Sequence, residues 1–212
     1  MKKALLAAIA LLFAVQAFGQ EQQDNNLITS GQVLIRVKQH FLKESVPWNG
    51  SLYAHATFFS SFDKESGYFP ILFTYIGPRV NLGRDIDFYL LGGTRNDTAG
   101  MSATASAWLN IPFNKKKSAY KDNFFAEADW YIPIDGHLPR LYTQLEFTHS
   151  LEKDLSIGIH SETLATTEDW EYHSMAVGPV IYVGRLGLWF SYDSLPSNKD
   201  ADSVFVRAMF TL

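Results

Sequence analysis

From about residue 50 to the end of the chain, apolar residues recur with a period of two, in segments of about ten residues. In 123–133, Phe124, Ala126, Ala128, Trp130 and Ile132 share one face, against Asn123, Phe125, Glu127, Asp129 and Tyr131. Leu141, Thr143, Leu145 and Phe147 likewise oppose Tyr142, Gln144, Glu146 and Thr148. Leu155, Ile157 and Ile159 oppose Ser156, Gly158, His160 and Glu162. A period of two belongs to a sheet with chemically different faces and rules out a helical bundle. Aromatic residues at 15% and charged residues at 19% suit a sheet surface.

The pattern predicts strands near 51–61, 69–80, 85–94, 101–112, 123–133, 141–150, 155–164, 172–183, 186–194 and 203–212. The connections at 81–85, 151–154 and 184–185 are tight, whereas 64–67, 95–100, 166–171 and 195–203 read as longer polar loops. Segments 75–88 and 177–188 each run strand, Gly-Pro (Gly77-Pro78, Gly178-Pro179), Gly-Arg, strand, a faint hairpin repeat or a coincidence. Residues 32–41 also alternate, Val33, Ile35 and Val37 against Gln32, Leu34, Arg36 and Lys38. Bacterial single-chain outer-membrane barrels have even strand numbers. An eleventh strand is therefore read as lying outside the wall, or as the sign of a missed partner. The expected fold is all-β, a single antiparallel up-and-down transmembrane β-barrel of about ten strands, with twelve as the alternative. If the carboxyl terminus is periplasmic, the three tightest turns fall on the periplasmic side, where short turns belong, while 113–122 would be a long exception.

Residues 1–19 read as a signal peptide: Lys2 and Lys3, an apolar stretch from Ala4 to Val15, and Ala17-Phe18-Gly19 before cleavage. Residues 20–49 are left as a periplasmic segment or first strand, and 50–212 as the barrel. Loss of Lys2 and Lys3 takes the charge balance from 18 basic and 22 acidic residues to 16 and 22, a net −6, which makes nucleic acid an unsuitable partner. After residue 19 no apolar run approaches the roughly 20 residues of a membrane-spanning helix. The absence of cysteine excludes disulfides, thiolate metal sites and cysteine nucleophiles.

In the last ten residues, Val204, Val206, Ala208, Phe210 and Leu212 alternate with Ser203, Phe205, Arg207, Met209 and Thr211 to the final position. This resembles the closing strand of Gram-negative outer-membrane β-barrels, which ends in a hydrophobic, usually aromatic residue read by the assembly machinery; here that residue is Leu212. The resemblance covers the signal peptide and about residues 50–212, and it implies an outer-membrane location in the cell envelope. It also implies outer-membrane lipid and the barrel-assembly machinery as partners, and a monomer. Trp48, Tyr53, Tyr68, Phe69, Trp108, Phe113, Tyr120, Trp130, Tyr131, Trp170 and Tyr172 lie near strand ends and read as interfacial girdles.

With the apolar face toward lipid, Arg79, Asp87, Glu127, Asp129, Glu146, His160, Glu162, Arg185, Asp193 and Arg207 form a lumen charge network. About ten strands enclose a narrow interior, so two readings follow: a lumen plugged by ion pairs, or a narrow polar, porin-like passage. Hydrolytic alternatives rest on His160 beside Ser161 and Glu162, and on Glu168, Asp169, Glu171 and His173. Adjacent strand residues face opposite ways, so His160 and Ser161 do not meet. Outer-membrane lipid A deacylases present a His and Ser two apart on one face, which this sequence does not match. No His-x-His or His-x-x-x-His pair suggests a metal, and no cofactor is expected. The function expected is an integral outer-membrane barrel with a structural or narrow small-solute channel role. The alternatives are a lipid-modifying or proteolytic outer-membrane enzyme and a secreted soluble β-barrel binder.

Overall fold

The structure is a computed structural model describing residues 30–41, 49–63, 67–83, 85–98, 100–113, 122–134, 137–167, 172–194 and 203–212. The signal-peptide reading of residues 1–19 lies outside them, as do Trp48, Tyr120, Glu168, Asp169, Trp170 and Glu171. Eleven strands are described: β1 Ser30–Phe41, β2 Gly50–Asp63, β3 Gly67–Asn81, β4 Asp87–Asp97, β5 Gly100–Phe113, β6 Asp122–Pro133, β7 Arg140–Glu152, β8 Leu155–Thr166, β9 Tyr172–Val183, β10 Leu186–Ser194 and β11 Ser203–Thr211. Each pairs with its sequence neighbours, and β1 with β11, to close one barrel.

The strand number corrects the even-numbered expectation. All ten expected strands form, and residues 32–41 belong to the wall as β1. Ten neighbour pairs are antiparallel, so with eleven strands the first and last must run the same way, and β1 pairs with β11 in parallel, Val33 opposite Ala208 and Ile35 opposite Phe210. The seam leaves no open edge, which is what a closed barrel gains over an open sheet.

The odd strands begin at one rim, here the upper, and end at the lower. The lower rim carries the tight turns at 153–154 and 184–185, together with 42–49, 82–86 and 114–121. Strands β4 and β5 extend until only residues 98–99 separate them, and β2 and β3 until only 64–66 do. The loops expected at 64–67 and 95–100 are therefore short, and turn length does not distinguish the rims.

The two Gly-Pro segments occupy matching places. Gly77 and Pro78 drop out of the β3–β4 pairing, as Gly178 and Pro179 drop out of β9–β10. Both glycines face the lumen, and in each case side chains from the flanking strands meet across them. Tyr53 of β2 reaches Tyr89 of β4 with ring centroids 5.0 Å apart, and His160 of β8 reaches Ser191 of β10 at 2.8 Å. A Cβ on Gly178 would lie 1.8 Å from the backbone oxygen of Phe190, so the close strand approach requires glycine.

The barrel is inverted relative to a soluble core. Ile76, Leu90, Leu145, Phe147, Ile157 and Ile159 are exposed on the outer face, whereas Glu127, Asp129, Glu146, His160 and Glu162 are buried inside. Tyr53, Tyr75, Leu91 and Trp108 pack as an inner cluster beneath β2–β5, joined by Phe73, Tyr89 and Phe125. Tyr53, Trp108 and Tyr131 thus fill the interior and are not girdle residues. Trp130 and Phe113 do face outward.

The seam is testable because the chain has no cysteine of its own. Ile35→Cys with Phe210→Cys should cross-link on mild oxidation of the folded protein and migrate faster in non-reducing denaturing gels. The out-of-register pair Ile35→Cys with Val206→Cys should not. Equal cross-linking of the two pairs would remove the parallel register.

Candidate functional site in the barrel lumen

The inner face of β6 carries Phe125, Glu127, Asp129 and Tyr131, because alternate residues of a strand point the same way. Asp129, 2% exposed, is the most heavily coordinated acid. Tyr75 donates to it at 2.8 Å, Tyr131 at 3.3 Å and the Trp108 indole N–H at 3.3 Å, and the Ser106 hydroxyl donates as well. Four neutral donors, from β3, β5 and β6 itself, replace the water that a buried carboxylate gives up. Glu146 is held in the same manner, by the Tyr182 hydroxyl at 2.7 Å and the Trp189 indole N–H at 3.1 Å.

Glu162 is handled by charge. Arg207 grips it through two nitrogens at 2.7 and 2.8 Å, and Tyr142 donates at 2.7 Å. The Arg207 Nε donates to Gln32 across the seam at 2.7 Å, so the ion pair also ties β11 to β1. A planar guanidinium suits this two-point hold on a carboxylate while reaching a third partner. Toward the lower rim, Arg79 pairs with Asp87 at 2.6 Å, and Asn81 donates to the same carboxylate. Near the upper rim, Asp193 accepts from Ser174 at 2.7 Å and from the Met175 amide at 2.9 Å.

The structure therefore brings Arg79, Asp87, Glu127, Asp129, Glu146, His160, Glu162, Asp193 and Arg207 to the inner face, but as separate groups. Arg185 departs from the expected network, since it sits exposed in the turn between β9 and β10. The expected ion pairing also needs correction: Glu162 and Asp87 have arginine partners, whereas Asp129 and Glu146 are satisfied by Tyr, Trp and Ser. Those donors share strand parity with the acids, as Tyr131 does with Asp129, and parity was the available signal. Which strands face each other across the bore is set only by closure.

The serine opposite His160 is Ser191, not the adjacent Ser161. Both members are 1% exposed and neither lines a cavity. A nucleophile and base must reach a substrate to act, so this pair serves as a hydrogen bond between strands. The His173 side chain and the acids of 168–171 lie outside the described residues. Among the described residues no group of three or more His, Asp or Glu side chains is placed to hold a metal ion.

The polar half of the lumen is not filled. A cavity of about 660 Å³ is lined from all eleven strands, by His55, Tyr75, Glu127, Asp129, Glu146 and Arg207 among others. His55 stacks on Trp108 with ring centroids 4.8 Å apart, and the tilted Tyr75 ring lies 4.7 Å from it. A second void of about 700 Å³ opens at the lower rim and shares Arg36, Phe125, Tyr182 and Met209 with the first. A smaller one of about 120 Å³ near the upper rim shares Arg95 and Tyr131. The first cavity extends to the lower rim itself, at Asp122, Ser150, Ser156 and Gly184, where it lies beside the second.

No protein-family model, curated protein or solved structure matches the chain.

Arg207→Ala should destabilise the folded barrel by roughly 3–5 kcal/mol in urea titrations, because it leaves Glu162 buried without its counter-charge. The double variant Arg207→Met with Glu162→Leu should recover most of that loss. If the single variant unfolds at the same urea concentration as the unmodified protein, the pair does not hold the lumen.

Proposed function

We propose that the chain is an integral outer-membrane β-barrel whose lumen is a narrow passage for small polar solutes. In this reading residues 1–19 direct export, and the barrel-assembly machinery inserts the chain through β11. The observation that carries the proposal is the inverted distribution of polarity. Ile159 and Leu90, 57% and 56% exposed, stand on the outside of a closed sheet whose inside holds Asp129 at 2% and Glu162 at 4%. Water is a poor solvent for that outer face and a soluble core a poor one for those carboxylates. A bilayer around an aqueous lumen suits both. The strands, 9 to 15 residues long, reach the roughly 9–11 residues that a tilted membrane strand requires. Eleven is odd for a bacterial barrel, but odd-stranded membrane barrels exist. Cavities that reach from near the upper rim to the lower rim support a passage over a sealed plug, and the aromatic packing beneath β2–β5 keeps it narrow.

Membrane placement is tested by substitution on the two faces. Leu145→Arg or Ile157→Arg should weaken folding into lipid vesicles by roughly 2–4 kcal/mol, while Gln144→Arg, one position along but facing inward, should cost less. The folded protein should also shift its gel mobility on boiling. Equal effects on both faces, or a protein that stays in solution without detergent and shows no mobility shift, would discard the membrane reading.

The passage is tested separately. In planar bilayers the unmodified protein should give small, steady currents, and Phe125→Ala, which trims a side chain shared by the two larger cavities, should enlarge them. Silence from both proteins would leave a membrane barrel without conduction.

A further inference from the structure

The lower mouth of the barrel differs in charge from the interior behind it. The void of about 700 Å³ there is lined by Arg36, Lys38 and Arg185, and by no Asp or Glu among the described residues. Lys38 lies within Coulombic reach of both arginines. Arg36 donates to Thr57 at 3.1 Å, lies over the Trp108 ring at 5.4 Å and is within Coulombic reach of Glu127 and Glu146 deeper in, which leaves Lys38 and Arg185 as the cations facing the mouth alone. Lys38 and Arg185 come from different elements, β1 and the β9–β10 turn, yet converge with Arg36 on one concavity where, among the described residues, the α-carboxylate of Leu212 is the one acid group against three cations. Like charges gathered this way repel, and a bound anion removes the repulsion.

Aromatic side chains, Tyr53, Tyr89, Trp108, Phe125 and Tyr182, form the floor beneath these cations. An apolar concave floor with a few charged groups at its margin is the form of a small-molecule site, and the volume falls within the usual range of roughly 300–1,000 Å³. Deeper in, Tyr182 and Trp189 are already engaged by Glu146, so a negatively charged group is repelled from the central cavity and held at the mouth.

We infer that this mouth binds an amphipathic organic anion, with a flat aromatic body on the floor and a carboxylate, sulfonate or phosphate against Lys38, Arg185 and Arg36. The site belongs to the barrel's mouth and does not require that the lumen conduct.

The test uses the full folded protein in lipid nanodiscs and naphthalene-1-sulfonate as the probe, measured by equilibrium dialysis against empty nanodiscs. Saturable binding of one probe per chain is expected, with 1-naphthalenemethanol, the uncharged counterpart, at least tenfold weaker. Lys38→Glu combined with Arg185→Glu should weaken sulfonate binding at least tenfold. Lys153→Glu, on an exposed turn of the same rim but outside the void, should leave it unchanged. If the glutamate pair does not fold, Lys38→Gln with Arg185→Gln keeps the side chains long and should still weaken binding severalfold. Binding that does not saturate, that treats sulfonate and alcohol alike, or that falls equally with Lys153→Glu overturns the inference. Silence in planar bilayers with binding intact would count against the passage and not against this site.

Discussion

Buried carboxylates govern the interior of this barrel. Asp87, Glu127, Asp129, Glu146 and Glu162 all lie within the wall, and a carboxylate withdrawn from water must find donors or counter-charge nearby. Two solutions stand side by side. Glu162 and Asp87 take arginine, while Asp129 and Glu146 take rings of Tyr and Trp donors. The second solution places large aromatic side chains at inward positions, and those side chains fill one side of the bore. Satisfying the acids and narrowing the lumen are thus one arrangement: Tyr75 and Trp108 both bind Asp129 and pack in the inner cluster.

Much of this was legible in the alternation. Strand positions and faces follow from a period of two, and each expected strand appears within a few residues of its place. Parity also separates outward Leu145 and Ile157 from inward Gln144 and His160. What alternation cannot carry is the identity of neighbours across the bore. Arg207 meets Glu162 three strands away and Gln32 across the seam, contacts that exist only once the sheet is closed. Trp108 and Tyr131 were misplaced because an aromatic near a strand end suggests a membrane interface, although Trp108 shares parity with Thr104 and Ser106, and Tyr131 with Asp129. For β1 the rule of even strand number and its own alternation point in different directions, which leaves its place open until the closed sheet puts it in the wall.

The parallel seam has a consequence for the order of assembly. Gln32 and Arg207, bonded across it, are 175 residues apart in the chain. No other strand pairing in the barrel spans such a separation, since each remaining strand meets the one just before it. Neighbour pairing can proceed step by step, but closure waits for the last strand to be made. Once it is made, and until the seam forms, the sheet has two open edges, β1 and β11, running in the same direction and complementary to each other. The pairing that closes one chain would equally join the β1 of one molecule to the β11 of another. Whatever holds those edges apart before closure decides between a closed monomer and an open polymer.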